Sequence, residues 1–245
     1  MNEHEDSFLG GKVRLLQMQD GYRAAIDPVL LAAAVPAKAG EVVLDMGCGV
    51  GAVSLCLHAR VSGVTVTGLD MQKPLVDLAR RNGALNNCGD DVRFVDGDLL
   101  NPPAEIPEAS FDHVMANPPY LAANSGNPSP DAAKAAANVE GEAGLVDWVR
   151  AAHRALKARG NIAFIHRPDR VVDLLAALHG GFGELVIFPL WSAQGKEAKR
   201  IIIVARKGVA SPARISSGLV LHKDDGSFSD QAQAVLKDAA ALSVS

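Results

Sequence analysis

From Val42 onward the chain alternates short apolar runs with stretches of helical spacing. Val42-Val43-Leu44-Asp45-Met46, residues 64–69, residues 92–95, Phe111–Ala116 and residues 160–165 have strand length and are rich in Val, Ile and Phe. Between them, residues 52–60, 73–86 and 170–178 read as helices, and Leu145, Trp148, Val149, Ala152 and Leu156 fall on one helical face. Strand and helix in alternation predict a mostly parallel sheet with helices on both faces. Residues 184–190 and 200–206 are two further strands. The segment joining them is too short for a crossover helix, so they should pair antiparallel at the end of the sheet. A strand-like Gly218-Leu219-Val220-Leu221-His222 and a helix capped near Ser229 make a small tail.

Upstream of this pattern lies an extension of about 40 residues. Asp27-Pro28 followed by Val-Leu-Leu-Ala-Ala-Ala reads as a helix with Asp27 as its N-cap and Pro28 in its first turn. Gln17 to Arg23 reads as a turn presenting Tyr22 and Arg23 to a cofactor or substrate. Residues 121–139 are rich in Ala, Asn, Ser, Gly and Pro and read as a long loop, functional or disordered, with a short Ala-rich helix. The expected organisation is an extension (1–40) covering the cofactor site, a catalytic domain (41–208) and a tail (209–245) packed on that domain.

Two stretches carry chemistry. In the first, the strand ending at Met46 runs into Gly47-Cys48-Gly49-Val50-Gly51 and then a helix, a context in which backbone can approach a nucleotide closely. Gly47-x-Gly49-x-x-Ala52, with Asp70 downstream, loosely satisfies a dinucleotide fingerprint, so a nicotinamide-dependent oxidoreductase is one reading. Asp45 argues for another. A carboxylate beside the glycines repels a pyrophosphate, but suits a cofactor carrying an ammonium and a sulfonium.

In the second, the strand Phe111–Ala116 stops at Asn117-Pro118-Pro119-Tyr120. Proline cannot extend the ladder, and the residue before it is pushed out of the helical region. The turn is therefore stiff, and it holds Asn117 and Tyr120 at a strand's carboxyl end. An amine conjugated to a ring is a poor nucleophile. The Asn117 side-chain oxygen and the Pro118 carbonyl can each accept one of its N–H bonds, directing the nitrogen lone pair at an electrophile, while Tyr120 stacks on the base.

Together the two motifs resemble the class I S-adenosylmethionine-dependent methyltransferases with an Asn-Pro-Pro-Tyr turn. The resemblance implies a Rossmann-like fold with a mostly parallel seven-stranded sheet whose last strand is antiparallel. It implies that Gly47, Gly49 and Gly51 line the methionine and ribose of S-adenosylmethionine beside Asp45. Asp70 would take the ribose hydroxyls, and Asp98, followed by Leu99, would take the adenine amine. It also implies that Asn117, Pro118, Pro119 and Tyr120 are catalytic. The acceptors of such enzymes include adenine and guanine amines of nucleic acids and the glutamine side chain of release factors. The whole chain looks most like the bacterial family that methylates adenine N6 in transfer RNA. That likeness includes the 17–33 segment, Trp148, Lys199-Arg200 and the 219–228 tail. Guanine N2 in ribosomal RNA and the release-factor glutamine are the alternatives.

Composition narrows the rest. A net charge of −4 excludes a generally basic coat, leaving Lys196, Lys199 and Arg200, with Arg206 and Lys207 nearby, as a local patch for RNA phosphates. Lys12, Arg14 and Arg23 form a second basic group. Cys48, Cys56 and Cys88 are odd in number and form no CxxC pair, so free thiols are expected, with Cys48 and Cys56 as packing residues. His113 and His153 read as packing or boundary residues; His166 ends a strand, where it either packs or edges the substrate pocket, with packing preferred; and no cluster has metal-ligand spacing. The acidic start is unlike a secretory signal and no apolar run reaches spanning length, so a cytoplasmic protein is expected.

Overall fold

The computed structural model describes residues 3–18, 24–120 and 143–244. An N-terminal hairpin pairs β1 (Glu3–Phe8) with β2 (Val13–Met18). Then come helix α1 (Asp27–Ala34) and the alternating run β3 (Val42–Met46), α2 (Ala52–Arg60), β4 (Thr65–Asp70), α3 (Lys73–Leu85), β5 (Val92–Asp96) and β6 (Phe111–Ala116). After residue 142 follow α4 (Leu145–Ala155), β7 (Leu156–His166), α5 (Val171–Leu178), β8 (Phe182–Ala193), β9 (Ala198–Lys207), β10 (Arg214–Ile215), β11 (Leu219–His222) and α6 (Asp230–Asp238).

The central sheet runs β5-β4-β3-β6-β7-β9-β8. β3 to β7 are parallel, and β9 runs antiparallel to both β7 and β8. This is the parallel sheet with a terminal hairpin that the alternating pattern predicts. β11, the strand-like segment expected in the tail, and the unexpected two-residue β10 add in parallel along the outer edge of β8, giving nine strands among the described residues where seven were expected. Alternation along each strand sends neighbours to opposite faces: Val43 belongs to the core under α1, α2 and α3, and Leu44 to the core under α4 and α5.

The acidic opening segment is a strand, which its polar composition hid. The hairpin is bound to α3 by a pair of asparagines one helical turn apart. Asn82 accepts from the Leu16 N–H and donates to the Leu16 carbonyl. Asn86 does the same with Arg14. Side chains at i and i+4 on one helix face thus substitute for a neighbouring strand along the exposed edge of β2. Asn82 also donates to the Val50 carbonyl at 2.9 Å, joining the hairpin to the glycine turn. Gln17, expected in an exposed turn, is buried in β2, where its amide bonds Asp6 and both backbone groups of Ala24. Tyr22 and Arg23 lie outside the described residues, as does the 121–139 loop. At the other terminus Ser229 caps α6 as expected, accepting from the Ala232 N–H. Val235, Leu236, Leu242 and Val244 join the same core as α1.

Candidate active site at the carboxyl ends of the central strands

β3 and β6 are parallel partners with Met46 opposite Ala116. The glycine turn after Met46 and the Asn117 turn after Ala116 therefore leave the sheet side by side. β4 flanks β3 on its other edge, so the strand order reverses here, at the point where open α/β sheets hold ligands. Asp70 and Asp96, registered opposite each other at the ends of β4 and β5, extend the row.

The glycine turn is pinned from below and packed from the side. The N–H groups of Gly47 and Cys48 both donate to the Leu69 carbonyl, at 2.7 and 3.1 Å. A Cβ on Gly47 would stand 2.5 Å from the Trp148 ring, and one on Gly51 would stand 2.6 Å from the Phe94 ring. Both glycines have left-handed φ values, 67° and 87°. Gly49 is different: a Cβ there would meet nothing within 4 Å, so its face is open.

Three carboxylates lie on or just beyond β3, β4 and β5. Asp45 is fully buried, and its Oδ2 accepts from the N–H and hydroxyl of Ser54 at 3.1 and 2.7 Å. Its Oδ1 has no hydrogen-bond partner among the described residues. Burial, outweighing the Ser54 bonds, pushes the carboxyl up to about 7. Asp70 is held firmly in place: Oδ2 accepts from the Gly49 N–H at 2.9 Å and Oδ1 from the Gln72 N–H at 2.8 Å. Burial also raises its pKa. Each of its oxygens keeps a second lone pair for an incoming hydroxyl. Asp98 forms a local turn by accepting from the Leu100 N–H at 2.9 Å, and Leu99 is half-buried against the Leu44 core.

The Asn117 turn is held from three directions. His166 at the end of β7 is fully buried. Its Nδ1 accepts from the Arg167 N–H at 2.9 Å, so its proton sits on Nε2, which donates to the Pro119 carbonyl at 3.2 Å. Burial lowers its pKa to about 4, keeping the ring neutral in that role. His166 also meets the Tyr120 ring edge-on, with centroids 5.4 Å apart. The Tyr120 hydroxyl donates to Asp27 Oδ2 at 2.8 Å. Arg200 Nε donates to the same oxygen at 2.8 Å, and its guanidinium lies 4.5 Å from the Tyr120 ring centroid.

Asp27 is therefore no helix cap. Ile26 occupies that position, with no side-chain cap bond, and the Asp27 carboxylate turns to the catalytic turn instead. The Asp-Pro pair carries the local signature of a cap, and its long-range partners, 93 and 173 residues away, leave no trace in local sequence. The partner of His166, 47 residues away, leaves no local trace either. His113, by contrast, is packed mid-strand against Glu41 and Asn161, and the three cysteines are buried free thiols. Among the described residues no group of His, Cys, Asp and Glu could hold a metal ion.

The methyltransferase small domain model matches residues 25–185, most of the chain and all of this site but Arg200. The chain belongs to that family. It is an S-adenosylmethionine-dependent methyltransferase, and the site fits the cofactor: a buried, unmatched carboxylate oxygen beside an open glycine suits the cationic methionine end and would repel a pyrophosphate. Among curated relatives, the tRNA1(Val) (adenine(37)-N6)-methyltransferase of Porphyromonas gingivalis is 29% identical over 220 residues, 85% of each chain. The release factor glutamine methyltransferase of Chlorobaculum tepidum is 35% identical over 80 residues, covering 32% of this chain and 27% of its own. Among solved structures, a predicted O-methyltransferase from Agrobacterium tumefaciens superposes with a TM-score of 0.75 at 24% identity, over 88% of this chain and 98% of its own. That likeness establishes the methyltransferase fold.

Proposed function

We propose that this methyltransferase acts on adenine N6 of a transfer RNA. The carrying observation is the juxtaposition of the Asn117-Pro118-Pro119-Tyr120 turn with the glycine turn through the Met46–Ala116 register. When bound, S-adenosylmethionine supplies an electrophilic methyl group on sulfur. Asn117 and the Pro118 carbonyl take the two N–H bonds of the exocyclic amine, and Tyr120 stacks on the ring that carries it. Orientation and stabilisation of the developing positive charge then carry the displacement. The amine loses its proton after it becomes cationic, so no strong base is needed. On the cofactor side, Asp45 would face the methionine ammonium, Gly47, Gly49 and Gly51 would line the chain and ribose, Asp70 would accept from the ribose hydroxyls, and Asp98 and Leu99 would flank the adenine.

Support for RNA over a protein acceptor comes from coverage. The tRNA-modifying relatives align along most of this chain, whereas the glutamine-modifying relatives match about a third of it. An open cleft of about 820 Å³ on the same rim as Arg200 is lined by Lys196, Lys199, His222 and Lys223, with Glu197 and Asp224 also lining it. Lys196 and Lys199 form no ion pair among the described residues, and we assign them to RNA phosphates. Lys207, in contrast, donates to the His153 and Leu156 carbonyls at 2.6 and 2.7 Å, and Arg206 pairs with Glu184. Residues 1–40 serve as an extension over the cofactor site, 41–208 as the catalytic domain and 209–245 as a tail packed on it. No described helix is long and apolar enough to cross a membrane, and a tRNA substrate places the enzyme in the cytoplasm.

The test is transfer of tritiated methyl from S-adenosylmethionine into unmodified transfer RNA, with release factor in a parallel reaction. Label that digests to N6-methyladenosine is expected. Label in protein, or label recovered as a methylated guanine, would overturn the assignment.

A further inference from the structure

The buried hydrogen bonding around Tyr120 has more in it than a stacking residue requires. Four elements distant in sequence converge on one ring: α1 through Asp27, the Asn117 turn itself, β7 through His166 and β9 through Arg200. One oxygen, Asp27 Oδ2, receives both the Tyr120 hydroxyl and Arg200 Nε, each at 2.8 Å. The guanidinium also donates from Nη1 to the Lys199 carbonyl at 2.9 Å, which fixes its plane. The Asp27 side chain is 15% exposed and that of Arg200 30%, so the pair is shielded enough to persist without being locked in the core.

We propose that Asp27 and Arg200 are positioning residues that make Tyr120 a fixed platform for a planar acceptor, and so favour an aromatic amine over a flexible amide. The proposal rests on the reading that Tyr120 stacks on the acceptor. Asp27 fixes the hydroxyl end of the ring, the perpendicular His166 ring packs against it, and Arg200 covers one face. The acceptor stacks on the opposite face. A ring already immobilised loses little freedom when a base lands on it, so more of the stacking energy reaches the complex. The cation draws the ring's π density toward itself. That makes the far face less negative and better suited to an electron-rich purine. A glutamine side chain gains nothing from either effect.

The chain contains two tyrosines, Tyr22 and Tyr120, so 3-fluorotyrosine in a Tyr22→Phe background reports on Tyr120 alone. In that protein Asp27→Ala is expected to shift and narrow the fluorine resonance toward that of free 3-fluorotyrosine. It should also lower kcat/KM on RNA about tenfold, a loss of about 1.4 kcal/mol, with S-adenosylmethionine affinity unchanged. Tyr120→Phe should lower kcat/KM similarly, and the double variant should be no worse than the poorer single, because both remove the same bond. Arg200→Lys, which keeps the charge but not the flat cation, should keep the melting temperature of the parent and lose its fluorine shift. An unmoved resonance in Asp27→Ala would overturn the proposal, as would a moved resonance with unchanged kcat/KM, or additive losses. If the parent protein transfers no methyl to RNA, the substrate assignment fails, while the fluorine result still decides whether Asp27 holds the ring.

Discussion

Asp45 offers a perturbation whose size follows from the structure. Its carboxyl is fully buried, is bonded among the described residues only through Oδ2, and has a pKa of about 7 against 3.8 for a free carboxyl. A carboxyl whose pKa is raised in the folded state stabilises most when protonated, and destabilises progressively as pH rises from the unfolded pKa through the folded one. Those two values give a cost of roughly 2 kcal/mol at pH 5 and roughly 4 kcal/mol at pH 8. Asp45→Asn removes that dependence. The asparagine can keep both Ser54 bonds through its oxygen, and its buried NH2 carries a desolvation cost that does not change with pH. The difference in stability between Asp45→Asn and the parent should therefore grow by about 2 to 3 kcal/mol from pH 5 to pH 8, in favour of the variant. For a chain of this length that is roughly 5–10 °C in melting temperature. The depressed pKa of His166 acts with the opposite sign, destabilising as pH falls below its unfolded value toward about 4, but it is common to both proteins and cancels. Scanning fluorimetry of both proteins without cofactor, at half-unit pH steps, reads the effect. A difference that stays flat across pH 5 to 8 would refute the reasoning, because Asp45 would then ionise as an ordinary carboxylate.

The same group ties cofactor affinity to pH. S-adenosylmethionine should bind the parent several-fold more weakly at pH 6 than at pH 7.5, with the trend absent in Asp45→Asn, as measured by titration calorimetry. Gly51→Ala would force a methyl group against Phe94 in a left-handed backbone. A loss of about 2 to 4 kcal/mol in unfolding free energy is expected by chemical denaturation. Lys196→Ala with Lys199→Ala should lower the slope of log affinity for RNA against log salt by about 1.5 in filter binding, leaving cofactor affinity unchanged.

Local physics made much of this molecule readable in its sequence. The glycine turn and the Asn-Pro-Pro-Tyr turn announce themselves because glycine and proline constrain backbone wherever they occur, and strand–helix alternation then fixes where they meet. The hairpin at residues 3–18 was not readable, because its edge is satisfied by Asn82 and Asn86 rather than by apolar alternation. Asp27, His166 and Arg200 are hard to read for a related reason. Each has an ordinary local reading — a cap, a strand end, a member of a basic patch — and takes its part in the site from residues 47 to 173 positions away. Trp148 was read correctly as part of a helix face, but its packing on Gly47 depends on how α4 crosses the sheet.

The most direct measurement of the central claim is single-turnover methyl transfer by Asn117→Ala, set beside its dissociation constant for S-adenosylmethionine. If Asn117 holds the acceptor amine, transfer falls by at least about a hundredfold while cofactor affinity stays within a few-fold of the parent. Transfer at the parental rate, or loss of cofactor binding, would contradict the role of the turn as the place where the amine is held.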